Sequence, residues 1–170
     1  MIRSFSRLSA LLLVPLAASL VLADDKKEPT KLEMTKEEQA LLKLLNEKRA
    51  KKDLLALRPH PLLIKAAREQ SKNMAKQRKM EHDLNGKKLG QRVDAAGYNW
   101  GKVSENLAMA EDGEPPLSAI VKDWMESAQH RENLLDKNVT ETGVAIARND
   151  KGEIYYTQIF ARPRGIKPQK

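Results

Sequence analysis

The sequence predicts an α+β domain in which helices cover a small antiparallel sheet. Apolar residues recur at helical spacing through the first two thirds of the chain, two β-rich runs near the C-terminus flank a polar turn, and no strand–helix–strand alternation occurs.

Thr35, followed three residues later by Glu38, is a capping-box signal, and Leu41, Leu44 and Leu45 then lie on one helical face. A first helix is expected over residues 36–51. Arg58-Pro59-His60-Pro61 breaks any helix, and Pro61 suits the first turn of a second one, whose stripe is Leu63, Ala66, Ala67 and Met74. That helix is expected to end near Met80. Residues 81–101 hold Asn85-Gly86, Gly90, Gly97 and Gly101, which predicts mostly loop with a short helical piece over residues 91–96. Loops of this density often hold a site. Pro115-Pro116 starts a helix ending near Gln129, with Ile120, Val121, Trp124 and Ala128 on its core face. Residues 142–147 and 154–160 are strand-like, and the polar run between them makes a hairpin.

Before this domain, residues 1–23 combine Arg3 and Arg7, an apolar run interrupted by Pro15, and a terminal Ala23, the pattern of a cleaved secretory signal. The apolar run is shorter than the roughly 20 residues of a spanning helix, so no transmembrane segment is expected after cleavage. Residues 24–33 read as a charged linker, residues 34–163 as one domain, and residues 164–170 as a basic tail. The product is expected in the periplasm or outside the cell.

Export permits disulfides, yet the chain contains no cysteine, so packing alone must stabilise it. Thiol catalysis, Cys-ligated zinc and iron–sulfur clusters are excluded. Removing Arg3 and Arg7 from a chain of net charge +8 leaves +6. The basic residues are dispersed and not interleaved with aromatics, which argues against a nucleic-acid partner. The charge reads as a solvated surface, with attraction to anionic lipid or cell-wall polymer as the lesser reading.

Four segments, in order, resemble the CAP superfamily of cysteine-rich secretory, antigen 5 and pathogenesis-related-1 proteins, in its bacterial SCP-like branch. They are Met80-Glu81-His82, Ser104-Glu105-Asn106-Leu107-Ala108, residues 124–135 from Trp124 through His130 to Leu135, and Tyr155-Tyr156-Thr157-Gln158-Ile159-Phe160. The resemblance spans residues 37–163 and implies an α-β-α sandwich with a central antiparallel sheet. It also implies a cleft in which two histidines and two acids converge. His82 and His130 match the histidines and Glu105 the first acid. Where many relatives carry the second acid, three residues after the Trp, this chain has Ser127. Glu126 is adjacent but rotated by about 100° on a continuous helix, so Ser127 is the expected neighbour of a three-member site.

Each of these residues has two readings. Two imidazoles and a carboxylate suit zinc or another divalent ion, whereas a histidine at a helix C-terminus can simply satisfy carbonyls. Glu105, placed at a loop or strand entry, either tunes the two histidines or fixes the segments that carry them. Ser127 and His130 are three apart, a spacing common by chance, and no Gly-x-Ser-x-Gly elbow supports a serine hydrolase. Asn138-Val139-Thr140 fits a glycosylation pattern that is incidental in a bacterial-type chain. Trp124, Tyr155 and Tyr156 read as core and sheet residues. Two function classes follow. One is a secreted, non-enzymatic module binding a lipid, a cell-envelope component or a protein; the other is a divalent-metal-dependent hydrolase or peptidase with Glu105 as general base. The lack of an assembled nucleophile, base and acid favours the first.

Overall fold

The capping box forms as the spacing predicts: Thr35 N donates to Glu38 Oε2 at 2.8 Å, and Glu38 N donates to Thr35 Oγ1 at 3.1 Å. It starts α1 (Lys36–Ala50), which buries Leu41, Leu42 and Leu45. The computed structural model describes residues 33–111 and 113–167; the expected signal peptide and most of the linker lie outside them.

Arg58–Pro59 does more than break a helix. It forms β1, a two-residue edge strand. Proline is tolerated there because the flanking amides make the ladder: Arg58 N donates to Thr140 O and His60 N to Thr142 O. His60 then caps α2 (Pro61–Gln77), its Nδ1 accepting from Leu62 N at 3.3 Å. The expected stripe of Leu63, Ala66, Ala67 and Met74 is fully buried. The helix ends three residues before Met80, where Arg78 turns left-handed at φ 53° and pairs through its side chain with Glu153.

Beyond α3 (Leu89–Ala96), the chain enters β2 (Trp100–Ala110), an 11-residue strand. Glu105 is therefore in mid-strand and not at a strand entry. Gly, Lys, Ser, Glu, Asn and Ala dominate this stretch, and none favours a strand locally. Pairing with the C-terminal strand imposes the conformation.

The helix carrying Trp124 is two helices. α4 (Leu117–Glu126) stops, Ser127 is extended at φ −74° and ψ 122°, and α5 (Ala128–Leu134) begins anew. Arg131 Nη1 donates to the carbonyls of Met125 and Glu126, satisfying two groups that a helix end leaves open. Two expectations based on one continuous helix therefore fail. Ala128 is exposed and outside the apolar face of Ile120, Val121 and Trp124, and helical phase no longer places Ser127.

The hairpin of β3 (Glu141–Arg148) and β4 (Ile154–Pro163) appears where expected, with Arg148 opposite Ile154. The sheet order is β1-β3-β4-β2. The central pairings β3–β4 and β4–β2 are antiparallel, as expected, and the two-residue β1, which the sequence did not predict, runs parallel to β3 and makes the whole sheet mixed. One face packs against α1 and α4 through Leu41, Leu45, Trp124, Tyr156 and Phe160. The opposite face packs against α2 and α3 through Leu63, Ala67, Val93, Ala145 and Ile159. The result is the α-β-α sandwich. At Gly143 a Cβ would lie 2.1 Å from the backbone carbon of Leu63, so only glycine lets α2 come this close to β3.

Candidate functional site

Strand alternation sends Glu105 to the same face as Val103 and Leu107, toward α2 and α3. There its side chain is 1% exposed and both oxygens are engaged. Oε1 pairs with His82 Nδ1 at 2.9 Å, and Oε2 accepts from Arg92 Nη2 at 2.5 Å.

His82 sits in the loop after α2, and backbone contacts hold that loop. Gln70 Nε2 donates to Glu81 O at 2.6 Å, and Arg92 Nη1 donates to His82 O at 2.6 Å and Lys87 O at 3.2 Å. The imidazole itself remains about half exposed. Its hydrogen bond to Glu105, outweighing partial burial, raises its pKa above the ordinary histidine value.

His130 is carried by α5, across the outer edge of β2. Asn106 Nδ2 donates to His130 O at 2.9 Å, while Asn133 Nδ2 reaches Asn106 Oδ1 at 3.0 Å and Glu105 O at 3.3 Å. Trp124 Nε1 donates to Leu107 O at 2.9 Å. Asn133 and Trp124 thus satisfy carbonyls along an edge strand that would otherwise be open to pairing. Burial, and then the charge of His82, lower the pKa of His130 below its ordinary value. The charge of His82 thus bears on His130, although of the two only His82 is bonded to Glu105.

Of the residues expected at the site, the structure joins His82 and Glu105 directly and ties the backbone of His130 to the same strand. Ser127 is the half-buried link between α4 and α5. Arg92, buried and central, was not legible in the sequence: one Arg on a short helix beside Val93 carries no signal that it points inward. Asn106 and Asn133 stood within recognisable segments, but their partners did not.

A metal would find His82 Nε2 free, since Nδ1 faces the carboxylate, and that is how carboxylates orient metal-binding imidazoles. Each Glu105 oxygen, however, already has a partner in Arg92 or His82, and among the described residues no three His, Asp or Glu side chains are grouped to hold an ion.

Comparison with known proteins agrees with the fold. A Bacillus subtilis protein described as uncharacterized protein YkwD is 29% identical over 128 residues, which is 74% of this chain but 47% of that relative. The chain thus spans less than half of it. An outer surface protein from Borrelia burgdorferi superposes with a TM-score of 0.70 at 23% identity, covering 78% of this chain and 97% of that one. An extracellular SCP-domain protein from Bacillus anthracis str. Ames gives 0.63 at 26% identity, over 76% of this chain and 44% of that one. The family model described as CAP, cysteine-rich secretory protein family, matches residues 42–160. With a match over most of its length, this cysteine-free chain belongs to the CAP, or cysteine-rich secretory protein, family.

Proposed function

We propose that the chain is an exported, non-enzymatic binding module whose cleft is bordered by His82, Glu105 and His130, with Ser127 beside it, and whose ligand is a lipid, a cell-envelope component or a protein. The observation that carries this reading is the state of Glu105. A general base must have an oxygen free to take a proton, directly or through water. Both Glu105 oxygens are committed, one to a buried guanidinium and one to an imidazole. The carboxylate supports an organising role better than a hydrolytic one. Export is supported by the leader-like residues 1–23 and by relatives described as an outer surface protein and an extracellular protein.

Zinc titration by calorimetry, on the parent chain and on the His82→Ala and His130→Ala variants, tests the reading. No stoichiometric zinc uptake at micromolar concentrations near neutral pH is expected. Uptake lost in both variants, together with peptidase or esterase activity abolished by Glu105→Gln, would replace the binding module by a metal-dependent hydrolase.

A further inference from the structure

A cavity lies beside α5. It has a volume of about 520 Å³ and opens between the start of β2, α5 and the loop into β3; Lys102, Arg131, Glu132, Asp136, Lys137 and Asn138 line it. At about 100° per residue, Ala128, Arg131 and Glu132 share one face of α5 and Leu135 follows its end, while His130 points about 200° away from Ala128 and Asn133, which also borders the cavity, lies between the two faces. The cavity shares Asn133 with the surroundings of Glu105 but uses none of His82, Glu105 and His130, so it does not depend on the reading of them.

Its charges do not balance. Of the two lining acids, Asp136 is already used: Oδ2 lies 2.5 Å from Lys102 Nζ, and Oδ1 accepts from the Asn138 N–H and side-chain amide. Arg131 spends Nη1 on backbone carbonyls, and among the described residues no carboxylate lies within ion-pair reach of Arg131 or Lys137.

Two further guanidinium groups stand close by. Arg49, fully buried, donates from Nη1 to the carbonyls of Leu134 and Asp136, directly behind the loop that forms one wall. Arg162 is the cross-strand neighbour of Lys102. Among the described residues, Arg49 Nη2 and Arg162 Nε are buried N–H groups without a hydrogen-bond partner. Three cationic side chains line the cavity against two carboxylates, one of them already paired with Lys102, so Arg131 and Lys137 face it with Glu132 as the one uncommitted acid, and Arg49 and Arg162 add positive charge behind its wall.

We propose that this cavity binds a phosphate group. A tetrahedral anion offers several acceptor oxygens to donors converging from different elements, and charge-assisted bonds to Arg and Lys are the strong kind. The group can arrive as free phosphate or within a phosphodiester, as in a lipid headgroup or an envelope polymer.

The test is a ¹⁵N–¹H NMR titration of the full chain at constant ionic strength, with inorganic phosphate in one arm and sn-glycero-3-phosphoglycerol in the other. Saturable shifts are expected at the amides of Lys102 and residues 135–138, half-complete below about 10 mM. The Arg131→Gln/Lys137→Gln variant also removes the Arg131 bonds to the Met125 and Glu126 carbonyls, so Lys137→Gln alone is run beside it; with both spectra dispersed, binding should weaken about tenfold or more in the double variant and less in the single one. Lys72→Gln/Lys76→Gln, an equally basic pair on α2, should bind as the parent does. Tighter binding of the diester assigns the ligand to a polymer or headgroup, and tighter binding of inorganic phosphate assigns it to the free ion; both support the site. Shifts that stay linear to about 100 mM, or that fall equally in both double variants, would show general attraction to a basic surface and overturn it.

Discussion

Arg92 and Glu105 form an ion pair 2.5 Å long in which each side chain is 1% exposed. The same guanidinium holds the carbonyls of His82 and Lys87, so one residue fixes both the carboxylate and the loop that carries the histidine. Removing one partner of a buried pair leaves an uncompensated charge and costs about 3–5 kcal/mol, whereas removing both costs much less. Urea melts of Arg92→Met should show that loss, and Arg92→Met/Glu105→Leu should recover part of it. A double variant less stable than the single one would mean that the pair is not the stabilising unit.

The two histidines should titrate on opposite sides of the ordinary value near ~6.5. The bond to Glu105 raises His82, so its contribution to stability is complete below the unfolded value and is lost as pH rises through the folded one. His130, lowered by burial and by His82, works the other way: its contribution is present above the unfolded value and is lost as pH falls through the depressed one. Imidazole NMR titrations give both directions. In His82→Ala the His130 midpoint should move up, because one of its two lowering causes is gone; an unmoved midpoint would separate the two rings.

Trp124 is 1% exposed and donates to Leu107 O on the outer edge of β2. Trp124→Ala should cost about 3–5 kcal/mol, a large part of a domain's stability, with no disulfide to compensate. Trp124→Phe retains an aromatic ring and removes the donor, at a cost nearer 1–3 kcal/mol for the unsatisfied carbonyl. Denaturant midpoints separate the two contributions. Near-parental stability of the Ala variant would place the ring outside the core.

Gly143→Ala should prevent α2 from seating on β3. The new Cβ would meet the Leu63 backbone at 2.1 Å, and a backbone packed between two cores cannot yield as a flexible side chain can. Loss of soluble expression, or a melting temperature well below the parent's, is the expected outcome. A crystal structure with the α2–β3 spacing unchanged and normal stability would contradict it.

Export should release a product beginning at Asp24, after Ala23 closes the apolar run. Intact-mass analysis of material recovered outside the cytoplasm checks this, and a mass that includes residues 1–23 would replace the secreted product with an anchored one.

Local chemistry explains what could be read in advance. The capping box at Thr35 and Glu38, the breaker before Pro61, the stripe from Leu63 to Met74 and the hairpin around Gly152 each depend on residues a few positions apart, and each stands where the spacing put it. Those features, with the four family-like segments, were enough for the layers of the fold and for the contact between His82 and Glu105, whereas His130 meets the same strand through its backbone carbonyl. The segment around Glu105 was harder. Its composition favours no strand, and β2 exists because β4 pairs along its length.

The sequence by itself determined the helix starts, the hairpin, the absence of cysteine chemistry and the family, because these rest on local conformational preference or on residue identity. Only the tertiary structure decided that β1 makes the sheet mixed, that Ser127 ends one helix and begins another, and that Arg92 is the buried partner of Glu105. Each of these depends on a contact between distant parts of the chain: β1 with β3, Arg131 back onto α4, and a guanidinium from α3 onto β2. Spacing cannot specify such contacts, since burial and partner become defined only when the layers pack.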